Sequence, residues 1–233
     1  MPDLLSTAFW VAVGQIVLID ILLGGDNAVV IALACRGLPA KQRKLGILYG
    51  TAGAILLRVT LIAFALTLLA IPYLKLAGGL LLIGIGVKLL VPQQAHDGGH
   101  VQSSDKLWAA VRTVILADLV MSMDNVLAIA AAAGGAGRHE LTLVIFGLLV
   151  SIPIIVGGSQ LVLKLMDRFP VIVTFGGMLL GWIAGQMMYT DAGMAEFVPH
   201  LKTWEYAAAA AGALLVLAIG KTAQTRKVLA GSP

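Results

Sequence analysis

Two stretches of this 233-residue chain place carboxylates inside apolar surroundings. Residues 20–27 read Asp-Ile-Leu-Leu-Gly-Gly-Asp-Asn, and residues 118–125 read Asp-Leu-Val-Met-Ser-Met-Asp-Asn. Each holds two aspartates six positions apart with an asparagine directly after the second: Asp20, Asp26 and Asn27, then Asp118, Asp124 and Asn125. Carboxylates, amide oxygens and backbone carbonyls form a hard oxygen site, suited to Mg²⁺, Ca²⁺ or Mn²⁺ rather than to zinc or copper. Met121 or Met123 could add one soft thioether, which would favour Mn²⁺, although methionine in such a segment more often packs. An aspartate at the centre of a membrane helix costs about 2.5–3.5 kcal/mol on insertion scales, so four cost roughly 10–14 kcal/mol together. A bound cation is the simplest compensation.

In an unbroken helix, residues seven apart differ by about 20° in projection, so Asp20 shares a face with Asn27, and Asp118 with Asn125. The second aspartate of each stretch falls about 120° away and about 9 Å further along the axis. Gly24 and Gly25 are expected to break the first helix, bring Asp26 round and free backbone carbonyls as ligands. Arg58 lies near the middle of its own apolar run and reads as the counter-ion that holds the empty site together. Four aspartates against Arg58 leave three negative charges, and a divalent ion leaves one. One proton closes the balance, which predicts cation/proton antiport. Gln15, Gln160 and Gln186 read as polar glue between helices rather than ligands.

The elements that must position these groups are membrane helices. The chain is 59% hydrophobic and 12% charged, with a mean hydropathy of +0.96, which excludes an ordinary soluble domain. Its net charge of +4 comes from basic residues in short loops, where they set topology, and no nucleic-acid role follows. The lone Cys35 has no intrachain disulfide partner. The N-terminus lacks a basic n-region and a cleavage site, so the first apolar segment is expected to be retained as a span. Seven runs approach the roughly 20 residues a span needs: 9–35, 45–69, 73–90, 108–133, 141–163, 171–189 and 204–219. Glycines in the third and sixth allow close helix contact. Arg36, Lys41, Arg43, Lys44, Lys106, Arg112, Lys164, Arg168, Lys221, Arg226 and Lys227 gather on one side, which places the N-terminus outside and the C-terminus in the cytoplasm.

An internal repeat appears at the 98-residue offset between Asp20 and Asp118. Pro72 falls on Pro170, Gly78-Gly79 on Gly176-Gly177 and Lys88 on Gln186, while Gly50 falls on Gly147 with a one-residue slip. Three spans per copy is an odd number, so the copies lie in opposite orientations, the pattern of secondary transporters. The expected fold is an all-α polytopic membrane protein of seven transmembrane helices, two inverted three-helix repeats plus one peripheral helix. Its parts are residues 1–91, a cytoplasmic linker 92–106, the second repeat 107–190, and the seventh helix with a basic tail, 191–233. His96, Asp97 and His100 fall in the linker and read as solvated.

The paired motifs, Gly-Gly-Asp-Asn-Ala-Val-Val-Ile-Ala at 24–32 and Ser-Met-Asp-Asn-Val-Leu-Ala-Ile-Ala at 122–130, resemble the TerC family of integral membrane proteins. Chain length and span number are similar to its short bacterial branch, the YjbE type. The resemblance implies a multi-pass protein of the bacterial inner membrane, related to the lysine-exporter superfamily, that exports manganese. By motif match the metal-binding role falls on Asp20, Asp26, Asn27, Asp118, Asp124 and Asn125. Ser122-Met123 in place of Gly24-Gly25 makes the halves unequal. The implied partners are the bilayer, Mn²⁺ (or Ca²⁺ or another divalent cation) as cargo, and protons; no prosthetic group is needed, and an oligomer is compatible. A Ca²⁺/proton antiporter is one alternative reading. The family's association with tellurium resistance adds a non-transporting scaffold as another. An intramembrane aspartyl protease also uses two aspartates, but residues 23–26 read Leu-Gly-Gly-Asp and miss the first glycine of its Gly-X-Gly-Asp motif, so no enzyme is expected.

Overall fold

An apolar run in lipid satisfies its backbone only by closing its own hydrogen bonds, so each run should form one helix. A computed structural model describes residues 7–69, 71–91, 103–133, 140–194, 197 and 202–230. Within these, side chains are described except at 7–9, 12, 19–24, 63, 65–69, 103, 124, 126–133, 140–144 and 227–230. The described chain is helical: α1 (Thr7–Cys35), α2 (Ala40–Leu69), α3 (Leu74–Leu90), α4 (Ser103–Ala133), α5 (Glu140–Arg168), α6 (Val171–Tyr189) and α7 (Lys202–Ala230), with a 3-10 turn at Ala192–Met194. Each helix coincides with one expected apolar run. Four stretches of the described residues are long and apolar enough to cross a membrane: Ala40–Ile62, Ile145–Arg168, Val171–Tyr189 and Lys202–Arg226. The largest departure is α7, which runs on to Ala230 where the apolar run ends at Ile219. Its extension is rich in Lys, Arg, Gln and Ala, good helix formers whose basic heads can snorkel. His96, Asp97 and His100 lie outside the described residues.

One expectation is corrected. Gly24 and Gly25 do not break α1, which is continuous from Thr7 to Cys35. Glycine permits a break without forcing one, and a break inside lipid would leave backbone groups unsatisfied at several kcal/mol each. A local diversion remains: Asp26 Oδ1 accepts the Asn27 backbone N–H at 2.8 Å, an interaction that competes with the helical ladder.

The principal packing partners are α6 with α7, α2 with α4, α1 with α5, α3 with α6, and α1 with α4. Contacts give the directions. A Cβ on Gly50 would meet Val114, one on Gly53 would meet Ile115, and Arg58 reaches Asp118, so α2 and α4 run parallel. Gly147 faces Ile16 and Gly158 faces Ala28, so α1 and α5 are parallel too. Gly79 abuts Met188 and Gly86 abuts Leu180, which makes α3 and α6 antiparallel. Between α6 and α7, Gly181 and Gly185 lie against the backbone of Gly212 and Ala208. This is the close approach that small residues every four positions allow. Gln186 Nε2 donates to Glu205 Oε1 at 3.2 Å across the same seam, the gluing role expected of it. The chief contacts of α7 are with α6 and α3.

Asp191, an ordinary loop acid by sequence, holds the start of α3. It is 2% exposed. Its Oδ1 accepts the N–H groups of Tyr73 at 2.8 Å and Gly193 at 2.7 Å, and its Oδ2 accepts those of Lys75 at 2.9 Å and Leu76 at 3.2 Å. Tyr73 itself offers no side-chain cap and sits at φ 63°, a left-handed backbone that the four bonds stabilise. Burial alone would raise the Asp191 carboxyl, yet the N–H groups of Tyr73, Gly193, Leu76 and Lys75 outweigh it and hold the pKa below the ordinary carboxylate range.

Two outcomes follow. Asp191→Ala should destabilise the detergent-solubilised protein by about 1–2 kcal/mol at neutral pH, by the measured worth of a helix cap. Because the folded pKa is depressed, this stability is complete above the unfolded carboxylate value of about 3.9 and fades as pH falls through the lower folded value. The gap between wild type and Asp191→Ala should therefore narrow only in strong acid, as read by unfolding midpoints against pH. Glycine packing gives an opposed pair. Gly84→Ala, whose Cβ would meet nothing within 4 Å, should stabilise by about 0.5–1 kcal/mol. Gly185→Ala, which drives a methyl into the Ala208 carbonyl, should cost about 1–3 kcal/mol in thermal unfolding.

Candidate functional site

The parallel contact of α2 and α4 brings a charged group from each into the protein interior. Arg58 and Asp118 have side chains only 3% and 6% exposed, and Arg58 Nη2 donates to Asp118 Oδ1 at 2.7 Å. Arg58 Nε also donates to Ser122 Oγ at 3.1 Å, and Ser122 Oγ donates to Asp118 Oδ2 at 3.0 Å. The three side chains form a closed ring in which both carboxylate oxygens are used. Such closure is what a buried ion pair requires, because a charge left unpaired there costs several kcal/mol. The sequence motifs do not mark Ser122 as a member of this group. Its position one helical turn after Asp118 is the signal that could have found it.

α1 packs against both helices that carry this ring. Val30 of α1 shares an apolar cluster with Ala117 and Met121 of α4, which sets the two stretches side by side. Asp26 lies within electrostatic range of both Arg58 and Asp118. Asn27 is 4% exposed, and neither its Oδ1 nor its Nδ2 has a hydrogen-bond partner among the described residues. A buried amide left in this condition costs about 1–3 kcal/mol. Thr51 adds a second orphan: it is 2% exposed with a hydroxyl that has no partner among the described residues, on the same face of α2 as Arg58 seven residues later.

The remaining candidates divide. Met121 is buried in the cluster with Val30, Leu82 and Leu180, and Met123 packs against it, so packing accounts for both thioethers. Asn125 is half-buried on α4. Gly25 is exposed, and a methyl group added there would meet nothing within 4 Å. The side chains of Asp20, Gly24 and Asp124 lie outside the described residues. Among the described residues, no three His, Cys, Asp or Glu side chains converge as a metal cluster. Asp26 and Asp118 are two carboxylates, and Arg58 occupies one of them.

The sequence profile of the TerC integral membrane proteins matches residues 5–228, which is nearly the whole chain. The chain belongs to the TerC family. Among its relatives is the uncharacterized membrane protein YjbE of Bacillus subtilis (strain 168), 44% identical over 190 residues, covering 82% of this chain and 84% of YjbE. YceF of the same organism, also an uncharacterized membrane protein, is 30% identical over 234 residues, 96% of this chain and 88% of its own. The UPF0053 inner membrane protein YoaE of Escherichia coli (strain K12) is 25% identical over 191 residues, 74% of this chain but 36% of YoaE. No solved structure gives a significant match. This TerC-family chain is thus an integral membrane protein of several apolar helices.

The ring yields a direct test. Arg58→Met alone should destabilise by about 3–5 kcal/mol by leaving Asp118 buried and unpaired, whereas Arg58→Met with Asp118→Leu should recover most of that loss. Chemical unfolding of the single and double variants in one detergent reads the difference. Equal losses in both would show that the pair does not act as a unit.

Proposed function

We propose that this TerC-family protein transports a divalent cation, with Mn²⁺ efflux across a bacterial inner membrane as its role. The observation that carries the reading is Asn27, a buried amide without a hydrogen-bond partner among the described residues, directly after Asp26, which lies within electrostatic range of the Arg58–Asp118 pair. An unpaired Oδ1 beside a carboxylate suits a hard cation or its bound water. Asp20, Asp124 and Asn125 complete the proposed ligand set by motif. With both methionines engaged in packing, the donors are oxygens, which favours Ca²⁺ as the competing cargo.

Alternation between two sides would come from inverted repeats, α1–α3 and α4–α6. The packing supports them. Gly50 of α2 meets Val114 of α4, and the aligned Gly147 of α5 meets the aligned Ile16 of α1. Gly79 of α3 meets Met188 of α6, and the aligned Gly177 of α6 meets the aligned Leu90 of α3. A two-fold axis in the membrane plane would exchange each contact with its partner. Arg58 has no counterpart, since Ile155 or Val156 holds the aligned position. An ion arriving at Asp26 and Asn27 would compete with Arg58 for Asp118, so Arg58 acts as a tethered cation that fills the site between cargo ions. A proton on a remaining aspartate would balance the charge and couple export to proton entry. The basic loops support a cytoplasmic C-terminus.

The test is Mn²⁺ tolerance and cellular manganese in an exporter-deficient bacterium carrying this protein or its Asp26→Ala, Asp124→Ala variant at matched levels. The intact protein should restore tolerance and lower manganese, and the variant should do neither. In vesicles, Mn²⁺ flux should follow an imposed pH gradient. No difference between inserted parent and variant would overturn the reading, and Ca²⁺ flux without Mn²⁺ flux would reassign the cargo.

A further inference from the structure

A second site lies at the end of the bundle where α1 and α7 finish and α6 begins. These helices enclose a cavity of about 400 Å³. Its polar lining is Arg36, Thr174, Lys221 and Gln224, with no carboxylate among the described residues that line it. Arg36 is half-buried. Desolvation by burial lowers its pKa, and the opposing pull of Asp167 does not restore it. Asp167 is engaged by Arg43, whose Nη1 lies 2.9 Å from its Oδ2. Arg43 is in turn fixed by the carbonyls of Leu38 and Arg36. A guanidinium that loses water without gaining a carboxylate is a charge lacking its counter-ion, and its forked donors match phosphate oxygens. The positive end of the α6 dipole, at Val171, borders the same cavity.

The cavity neighbours an apolar groove, also of about 400 Å³, lined by Val29, Phe175, Leu179 and Ala213 among others. α6 and α7 line both, and the end of α1 borders them. Val29 and Arg36 are seven residues apart and share a face of α1's helical course. On α7, Ala213 lines the groove while Leu217, Gly220 and Gln224 line the cavity, a single stripe at spacings of four, three and four. A charged mouth thus leads to an apolar channel along α6, the outline of an amphiphile rather than of a free anion.

We propose that Arg36 and Lys221 bind the phosphate of an anionic phospholipid whose acyl chain lies along α6 in the groove beside Phe175. The lipid would tie the end of α1 to α7.

The test compares the thermal midpoint of the purified full chain in phosphatidylcholine nanodiscs with and without phosphatidylglycerol. Phosphatidylglycerol should raise the midpoint by roughly 2–4 °C. Arg36→Gln with Lys221→Gln should abolish the rise, and Lys221→Gln alone, at an exposed position, should reduce it. Lys202→Gln, at the opposite end of α7, should keep it whole. A full rise in the Arg36→Gln, Lys221→Gln double variant, or none in the parent, would overturn the proposal. So would an equal rise from inorganic phosphate in phosphatidylcholine alone, which would make the cavity a site for soluble anions.

Discussion

The buried pair of Arg58 and Asp118 is the interaction on which the arrangement of the bundle turns. Neither charge is tolerable in the apolar interior without the other, and the ring through Ser122 leaves no carboxylate oxygen idle. That requirement fixes the register of α2 against α4 more sharply than apolar packing could, because sliding by one turn would separate the charges. With α2 and α4 fixed, Val114 and Ile115 come to rest over Gly50 and Gly53, and α1 is held against α4 through Val30. A purely apolar seam would offer several near-equal registers. The ion pair selects one.

Close helix approach does the rest. The α6–α7 seam is made almost backbone to backbone, and α3 crosses α6 through glycines on both partners. In lipid there is little hydrophobic drive between helices, so contact area has to be gained through proximity. The bundle therefore has two kinds of cohesion: electrostatic around α1, α2 and α4, and dispersive around α3, α6 and α7. The first depends on charge and can be altered by neutralising either partner. The second cannot.

Much of this is legible in the sequence, and what is not has identifiable causes. Helix ends at Cys35, Leu90 and Tyr189 agree with the ends of apolar runs, because in lipid hydropathy and backbone satisfaction mark the same boundaries. The 98-residue offset aligns glycines that occupy matching contacts, and Arg58 stands out as a charge where a span should be neutral. Continuity of α1 through Gly24 and Gly25 is not readable, since a glycine pair states only that a break is allowed. Ser122 escapes notice because a serine follows no period of its own; its meaning comes from Arg58 on another helix. Asp191 is unreadable for the same reason, with partners at positions 73, 75 and 76. Contacts set by distant chain segments leave no local pattern.

The Asp191 contact also bears on how the protein is made. The first turn of α3 is completed by a carboxylate 118 residues later in the chain than Tyr73. At synthesis rates of about 5–20 residues per second, α3 waits roughly 6–24 s for that carboxylate to emerge. During that interval the amides of Tyr73, Lys75 and Leu76 must be hydrated at the membrane surface, and Tyr73 has no reason to hold its left-handed backbone. Insertion of α6 therefore acts backwards along the chain: it finishes a helix whose residues left the ribosome well before it. Topogenesis in this protein thus includes a fastening step, supplied by the segment between α6 and α7.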